Sequence, residues 1–98
     1  MLGLNKLKEA KEKAQALKKK LEITLFTEER ENGMIKVEVN GNRKITQLKI
    51  NESFLRVRDG HEIEEKLEEA LNTALGKAEF YAEEELKKLM PNIPGLNL

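Results

Sequence analysis

Residues able to do chemistry are few in this chain, and their spacing decides against most of it. The one histidine, His61, has Glu65 four residues on, a separation that sets two metal ligands on one helix face. Nothing nearby completes a coordination sphere, so the pair reads as part of a solvated first helical turn. Glu28, Glu29 and Glu31 gather beside a turn and read as a charged strand end that resists edge-to-edge pairing, not as a general acid and base. Ser53 lacks the G-x-S-x-G elbow of a hydrolase nucleophile. Gly33 and Gly41 fall in N-G turns, so no Gly-rich phosphate loop exists. Asn51-Glu52-Ser53 matches a glycosylation acceptor. The opening MLGLNKLKEAKEK, however, has neither an unbroken apolar stretch nor an export cleavage site, and the match reads as chance. There is no Cys, which removes thiolate nucleophiles, disulfides and Cys-bound zinc together. Phe26, Phe54, Phe80 and Tyr81 are too scattered for the stacking platform of a single-strand binder. The residues therefore predict no enzyme, no cofactor, no metal and no small-molecule substrate.

What remains is charge. Lys and Arg number 18, Asp and Glu 18, and together they make 37% of the 98 residues, against about a quarter in ordinary proteins. The sum is zero, but the layout is segregated. Residues 1–20 hold seven Lys against Glu9 and Glu12. Residues 34–58 hold Lys36, Arg43, Lys44, Lys49, Arg56 and Arg58 against Glu38 and Glu52. Residues 59–69 hold six acids against Lys66. Local basic surface rather than net charge decides whether a polyanion can bind. Lysines at the end of a helix also favour its dipole, so the pattern by itself fits ordinary solubilising surface as well.

Three blocks must position these charges. From Asn5 to about Leu21, Leu7, Ala10, Ala14, Leu17 and Leu21 step by three and four and define one helix face. Next, Ile23 and Leu25 alternate with Glu22, Thr24 and Phe26. Asn32-Gly33 signals a type I′ hairpin turn, in which both central residues need positive φ. Met34 to Val39 places Ile35, Val37 and Val39 on one face. Asn40-Gly41-Asn42 turns the chain into Arg43 to Ile50, with Thr46, Leu48 and Ile50 together and Ile45 packing the far face or marking a bulge. The result is a three-stranded antiparallel meander with one apolar face in need of a cover. The third block starts near Asp59, which has capping-box spacing to Glu62. It carries a helical stripe from Ile63 through Leu67, Ala70, Ala74, Ala78 and Tyr81 to Leu89. Gly76 marks a kink or a close approach, and Pro91 stops the helix. One domain over residues 1–90 and a short loose tail, 91–98, are expected.

A helix from about Gly60 to Met90 would run ~46 Å at 1.5 Å per residue. A compact domain of this size, with a radius of gyration of ~13 Å, is only ~35 Å across. The helix must bend or project, and a projecting apolar stripe needs a partner, which predicts a homodimer. No apolar run approaches 18 residues, so no transmembrane helix is expected, and the location expected is cytoplasmic.

In this order the elements resemble the YbaB/EbfC family of nucleoid-associated proteins. The stretches that carry the resemblance are KLKEAKEKAQALKKKLE in the first helix, Gly33-Met34-Ile35-Lys36-Val37-Glu38-Val39-Asn40-Gly41, Leu48-Lys49-Ile50-Asn51-Glu52-Ser53-Phe54-Leu55, Ala70-Leu71-Asn72-Thr73-Ala74, and Pro91-Asn92-Ile93-Pro94-Gly95-Leu96. Position 51 is Asn where the family often has Asp. The resemblance implies an α+β protein, α-β-β-β-α, forming a tweezer-like homodimer that binds duplex DNA on the nucleoid. The acidic run Glu83 to Glu85 and the zero net charge imply weaker binding than a basic architectural protein shows. Candidate phosphate-binding residues are Lys11, Lys13, Lys18, Lys19 and Lys20 of the first helix, Arg43, Lys44, Arg56 and Arg58 from the sheet and its exit, and Lys87 and Lys88 near the end of the long helix. Contacts to the DNA backbone are expected, since no major-groove reading motif is present. The alternative is a protein-binding module, prefoldin-like, that uses the helix stripes to hold other chains.

Overall fold

The computed structural model describes residues 2–89. The tail expected over 91–98 lies outside them. The order is α1 (Leu2–Ile23), β1 (Leu25–Arg30), β2 (Ile35–Asn40), β3 (Ile45–Ile50), α2 (Glu52–Val57) and α3 (Gly60–Leu89). The three strands form one antiparallel sheet in the order β1-β2-β3. This is the expected α-β-β-β-α pattern with one short helix added.

β2 is central and supplies the core. Its alternation puts Ile35, Val37 and Val39 on one face at 0–1% exposure. α3 crosses that face, and Ala70, Ala74 and Ala78, spaced by four, are fully buried against Val37 and Val39. Alanines at this spacing let the helix axis come close to the sheet. A second cluster joins Ile35, Phe54 of α2 and Ile63 of α3, with Leu67 packed against both clusters. Each fully buried branched side chain contributes about 1.5–3 kcal/mol. α2 exists because Asn51 caps it: its Oδ1 accepts from the Ser53 and Phe54 N–H groups at 2.9 and 3.4 Å. The acceptor-like Asn51 is thus a helix cap.

The expected alternation of β1 is reversed. Ile23 belongs to α1 and is 79% exposed, and Leu25 is 51% exposed. Phe26 instead lies opposite Val39 and meets Tyr81 with ring centroids 5.5 Å apart. The helix runs through Ile23, so the first strand begins two residues later than the periodicity implied. The Asn32-Gly33 turn has the positive φ values expected, 57° and 85°, and Glu31 joins them at 54°. Its closing bond runs from the Met34 N–H to the Glu31 carbonyl at 3.1 Å. Ile45 marks a bulge: it pairs with Val39 while Gln47 pairs with Glu38. Ile45, Leu48 and Ile50 therefore share the apolar face. Thr46 is turned off it, and its hydroxyl donates to Glu38 at 2.8 Å.

The described chain is long and narrow, 66 × 23 × 17 Å, with a radius of gyration of 18.5 Å, against the ~13 Å of a compact domain of this length. α3 runs unbroken through Gly76, beside which a Cβ would meet nothing within 4 Å, so the position is neither a kink nor a close approach. Of the apolar stripe expected on α1, Leu21 is buried and Leu17 half-buried, but Leu7, Ala10 and Ala14 are exposed. The amino-terminal part of the helix projects past the body formed by the sheet and α3.

Candidate nucleic-acid interface

The basic residues of α1 and of the β2–β3 turn are brought together by one glycine. The Gly41 N–H donates to the carbonyls of Leu21 at 2.7 Å and Thr24 at 3.0 Å. The Leu21 carbonyl, which also accepts from the Thr24 N–H at 3.3 Å, belongs to the last turn of α1, where carbonyls lack the usual intrahelical partner. A Cβ at Gly41 would lie 2.8 Å from the Leu21 carbonyl oxygen and 2.9 Å from its Cδ2, so only glycine fits. Asn42 adds a bond from its Nδ2 to the Lys18 carbonyl at 3.2 Å. Asn40 shapes the turn itself: its Oδ1 accepts from the Asn42 N–H at 2.9 Å and the Lys44 N–H at 3.1 Å. Arg43 takes φ 63°, and its N–H closes on the Asn40 carbonyl at 2.9 Å. The outcome is a hollow of about 520 Å³ lined by Lys18, Lys44, Thr46 and Asn42, with Glu22 at its side. Arg43 stands on the other flank of the turn, near Glu79 and Glu83.

The eleven candidate cations fall into two groups. Five are held by carboxylates. Lys20 Nζ lies 3.0 Å from Glu85 Oε2, and Lys88 Nζ 3.3 Å from Glu85 Oε1. Lys87 meets Glu84 at 3.3 Å, Arg56 meets Glu52 at 3.2 Å and Arg58 meets Glu62 at 3.5 Å. The Arg58 guanidinium also stands 5.4 Å over the Phe54 ring. Hydrogen bonding to Glu85, then its charge, raises the pKa of Lys20. The Lys20 hydrogen bond likewise holds Glu85 below the ordinary carboxylate range. The other six, Lys11, Lys13, Lys18, Lys19, Arg43 and Lys44, are exposed. Among the described residues they make no ion pair.

Sequence reasoning missed Glu85 as an anchor. It is 9% exposed within a helix face otherwise apolar, and its partner Lys20 lies 65 residues away. Glu28 is the matching case at the sheet: bonds from Lys77, then Arg30, hold its pKa down. His61 and Glu65 do share a helix face, 3.1 Å apart, but no group of three or more possible metal ligands occurs among the described residues. No described helix is long and apolar enough to cross a membrane.

The sequence matches the YbaB/EbfC DNA-binding family over residues 2–93. The chain belongs to that family. It is 35% identical, over 96% of its length and 91% of the relative's, to a nucleoid-associated protein of Flavobacterium johnsoniae. It is 34% identical to a nucleoid-associated protein of Chlorobium phaeobacteroides, over 88% of this chain and 76% of the other. Its fold is similar to the crystal structure of an uncharacterized protein from Helicobacter pylori, at a TM-score of 0.63 and 29% identity, covering 88% of this chain and 95% of that one.

Three of the stretches by which the chain resembles YbaB/EbfC proteins have a visible structural task. Gly33 to Gly41 comprises the hairpin turn, the buried strand β2 and the glycine that docks α1. Leu48 to Leu55 takes in the end of β3, the Asn51 cap and α2. Ala70 and Ala74 are the close contact of α3 on β2.

Proposed function

We propose that this chain binds duplex DNA as a homodimer on the nucleoid, in the cytoplasm. The phosphate backbone would be held by Lys11, Lys13, Lys18 and Lys19 of α1 with Arg43 and Lys44 of the β2–β3 turn. Membership of a family described as DNA-binding supports the reading, as do relatives named nucleoid-associated proteins. The observation that carries the choice of face is the division of the cations. A cation bound to a carboxylate must give up that partner to gain a phosphate, so its net contribution is small. The six cations that make no ion pair among the described residues carry no such cost and would release counterions from DNA directly. Lys20, Lys87, Lys88, Arg56 and Arg58 contribute less for the same reason.

The sheet supports the dimer. α3 packs on β1 and β2, which leaves Ile45 and Leu48 of β3 about half exposed on the apolar face. A second copy laid against this side would cover them and double the basic face by two-fold symmetry.

Fluorescence anisotropy of a labelled ~30-base-pair duplex across a salt series tests the reading. With about six phosphates neutralised per dimer, log K falls with log salt at a slope of ~−5. The Lys18→Glu, Lys19→Glu, Lys44→Glu variant loses salt-sensitive binding, and the Arg56→Glu, Arg58→Glu variant retains most of it. A slope near zero, or equal losses from the two variants, refutes the proposed face.

A further inference from the structure

Leu7, Ala10, Ala14, Leu17 and Leu21 of α1 step by three and four, the spacing of a coiled-coil seam with apolar residues at positions a and d. In that register the e and g positions between 6 and 20, which flank the seam on both sides, are Lys6, Lys11, Lys13, Lys18 and Lys20. Every one is lysine. The acids of the same stretch, Glu9 and Glu12, fall at c and f, farther from the seam.

α3 meets this seam at its carboxyl end. Leu21 shares a hollow with Ala82 and Leu86, and Leu17 shares one with Leu89, so the two helices run antiparallel. At the crossing α3 sets Glu85 opposite Lys20, 3.0 Å away. Beyond it the seam lies open as a groove of about 420 Å³. Ala10, Ala14 and Leu17 form one wall, Leu86 and Leu89 close the end, and Lys6, Glu9 and Lys13 stand on the rim. Leu7 is 69% exposed. Lys6, Lys11, Lys13 and Lys18 make no ion pair among the described residues.

The crossing shows what this face accepts: apolar side chains on the seam and a carboxylate against a flanking lysine. A second α1 cannot supply that, because in either orientation it brings lysines against lysines. Duplex DNA would satisfy the lysines but leave the seam in water. We propose that the amino-terminal part of α1 docks an amphipathic helix of another protein, one with an apolar seam and acidic residues along both flanks. Its apolar side chains cover Leu7, Ala10 and Ala14, where the alanines leave room for large residues, and its carboxylates pair with Lys6, Lys11, Lys13 and Lys18.

The probe is a labelled peptide of ~21 residues, three heptads with Leu at a and d, Glu at e and g, and Gln and Ala elsewhere. Its fluorescence anisotropy is followed against the full chain. No DNA is present, so the outcome is independent of the proposed phosphate face. The Glu-flanked peptide should bind, and a peptide with the same Leu seam but Lys at e and g should not. The Lys6→Glu, Lys11→Glu, Lys13→Glu, Lys18→Glu chain should reverse this preference. It should bind the Glu-flanked peptide at least ~10-fold more weakly at low salt, where exposed charges are least screened, and gain binding of the Lys-flanked one. That gain also shows that the altered chain has kept its fold. Two outcomes overturn the proposal. One is failure of the Glu-flanked peptide to bind the unaltered chain. The other is equal binding of a peptide with the same charges and Gln in place of every Leu, which would leave α1 a face for polyanions alone.

Discussion

Gly41 and Gly76 should respond with opposite signs to the same substitution. At Gly41 the added methyl would stand 2.8, 2.9 and 3.0 Å from the Leu21 carbonyl oxygen, Cδ2 and Cα. Two of those atoms belong to the helix backbone and cannot swing aside, so relief requires the turn to move off the end of α1. That movement breaks the Gly41 N–H bonds to Leu21 and Thr24, at roughly 1 kcal/mol each. Residual overpacking adds about 1–3 kcal/mol. Gly41 does not have positive φ, so backbone strain adds nothing, and the stiffer unfolded chain returns about 0.4–1 kcal/mol. Gly41→Ala should therefore cost about 2–4 kcal/mol. At Gly76 the methyl meets open space in the interior of an exposed helix, where alanine is better by about 0.5–1 kcal/mol. Urea denaturation followed by far-UV circular dichroism, at one fixed protein concentration, measures both. At about 4–8 °C per kcal/mol for a chain of this size, the melting temperatures should fall by more than about 10 °C and rise by a few degrees. A neutral Gly41→Ala would refute the docking of the turn on α1.

Acid should destabilise the protein through Glu28 and Glu85. Both have folded pKa values below the ordinary carboxylate range, each held there first by a lysine hydrogen bond. Their contribution is present above that range and is lost as pH falls through the lowered values. Glu28→Gln and Glu85→Gln should each lower stability at neutral pH and flatten its acid decline, and denaturation midpoints across a pH series check this. Leu48→Asp puts a charge into the half-exposed apolar face of β3. Light scattering at micromolar concentration should then give the 11.3 kDa monomer where the unaltered chain gives twice that mass, and a monomeric unaltered chain sinks the proposed dimer.

The parts of the fold that were legible in the sequence are those set by local period. Ile35, Val37 and Val39 alternate, Ala70, Ala74 and Ala78 repeat by four, and Asn32-Gly33 takes the φ values that residue pair favours. α2 escaped because six residues are too few for a helical period to register, and what starts the helix is the Asn51 side chain. The face of β1 was misread because nothing local to Ile23 says that α1 continues through it; the docked Gly41 holds that end. Of the candidate site, the cations were legible but not their division into paired and unpaired. Arg56 with Glu52, Arg58 with Glu62, Lys87 with Glu84 and Lys88 with Glu85 could have been set aside from spacing alone. Lys20 could not, since its carboxylate comes from the far end of the chain.

A neutral chain can still present a basic face, because its acids are not spread evenly among its bases. Of the α3 carboxylates, Glu69 pairs with Lys66, Glu84 with Lys87 and Glu85 with Lys20 and Lys88, while Glu28 pairs with Arg30 and Lys77. This leaves a surplus of positive charge on α1 and on the β2–β3 turn. Those are separate pieces of chain, and one proposed phosphate face needs them in fixed register. The Gly41 N–H bonds and the Asn42 bond to the Lys18 carbonyl supply that register. Gly41→Ala, at a temperature where it remains folded, should then do more than lower stability. With Arg43 and Lys44 released from α1, fewer phosphates are neutralised at once, so the salt slope of DNA binding becomes shallower as affinity falls. Lys18→Glu made in the Gly41→Ala background should cost less than it does alone, because the register it relied on has gone. If affinity and slope stay unchanged while the α1 amides exchange faster, α1 and the turn bind independently or only one of them binds. The shared phosphate face would then have to be abandoned, with the docking itself left standing.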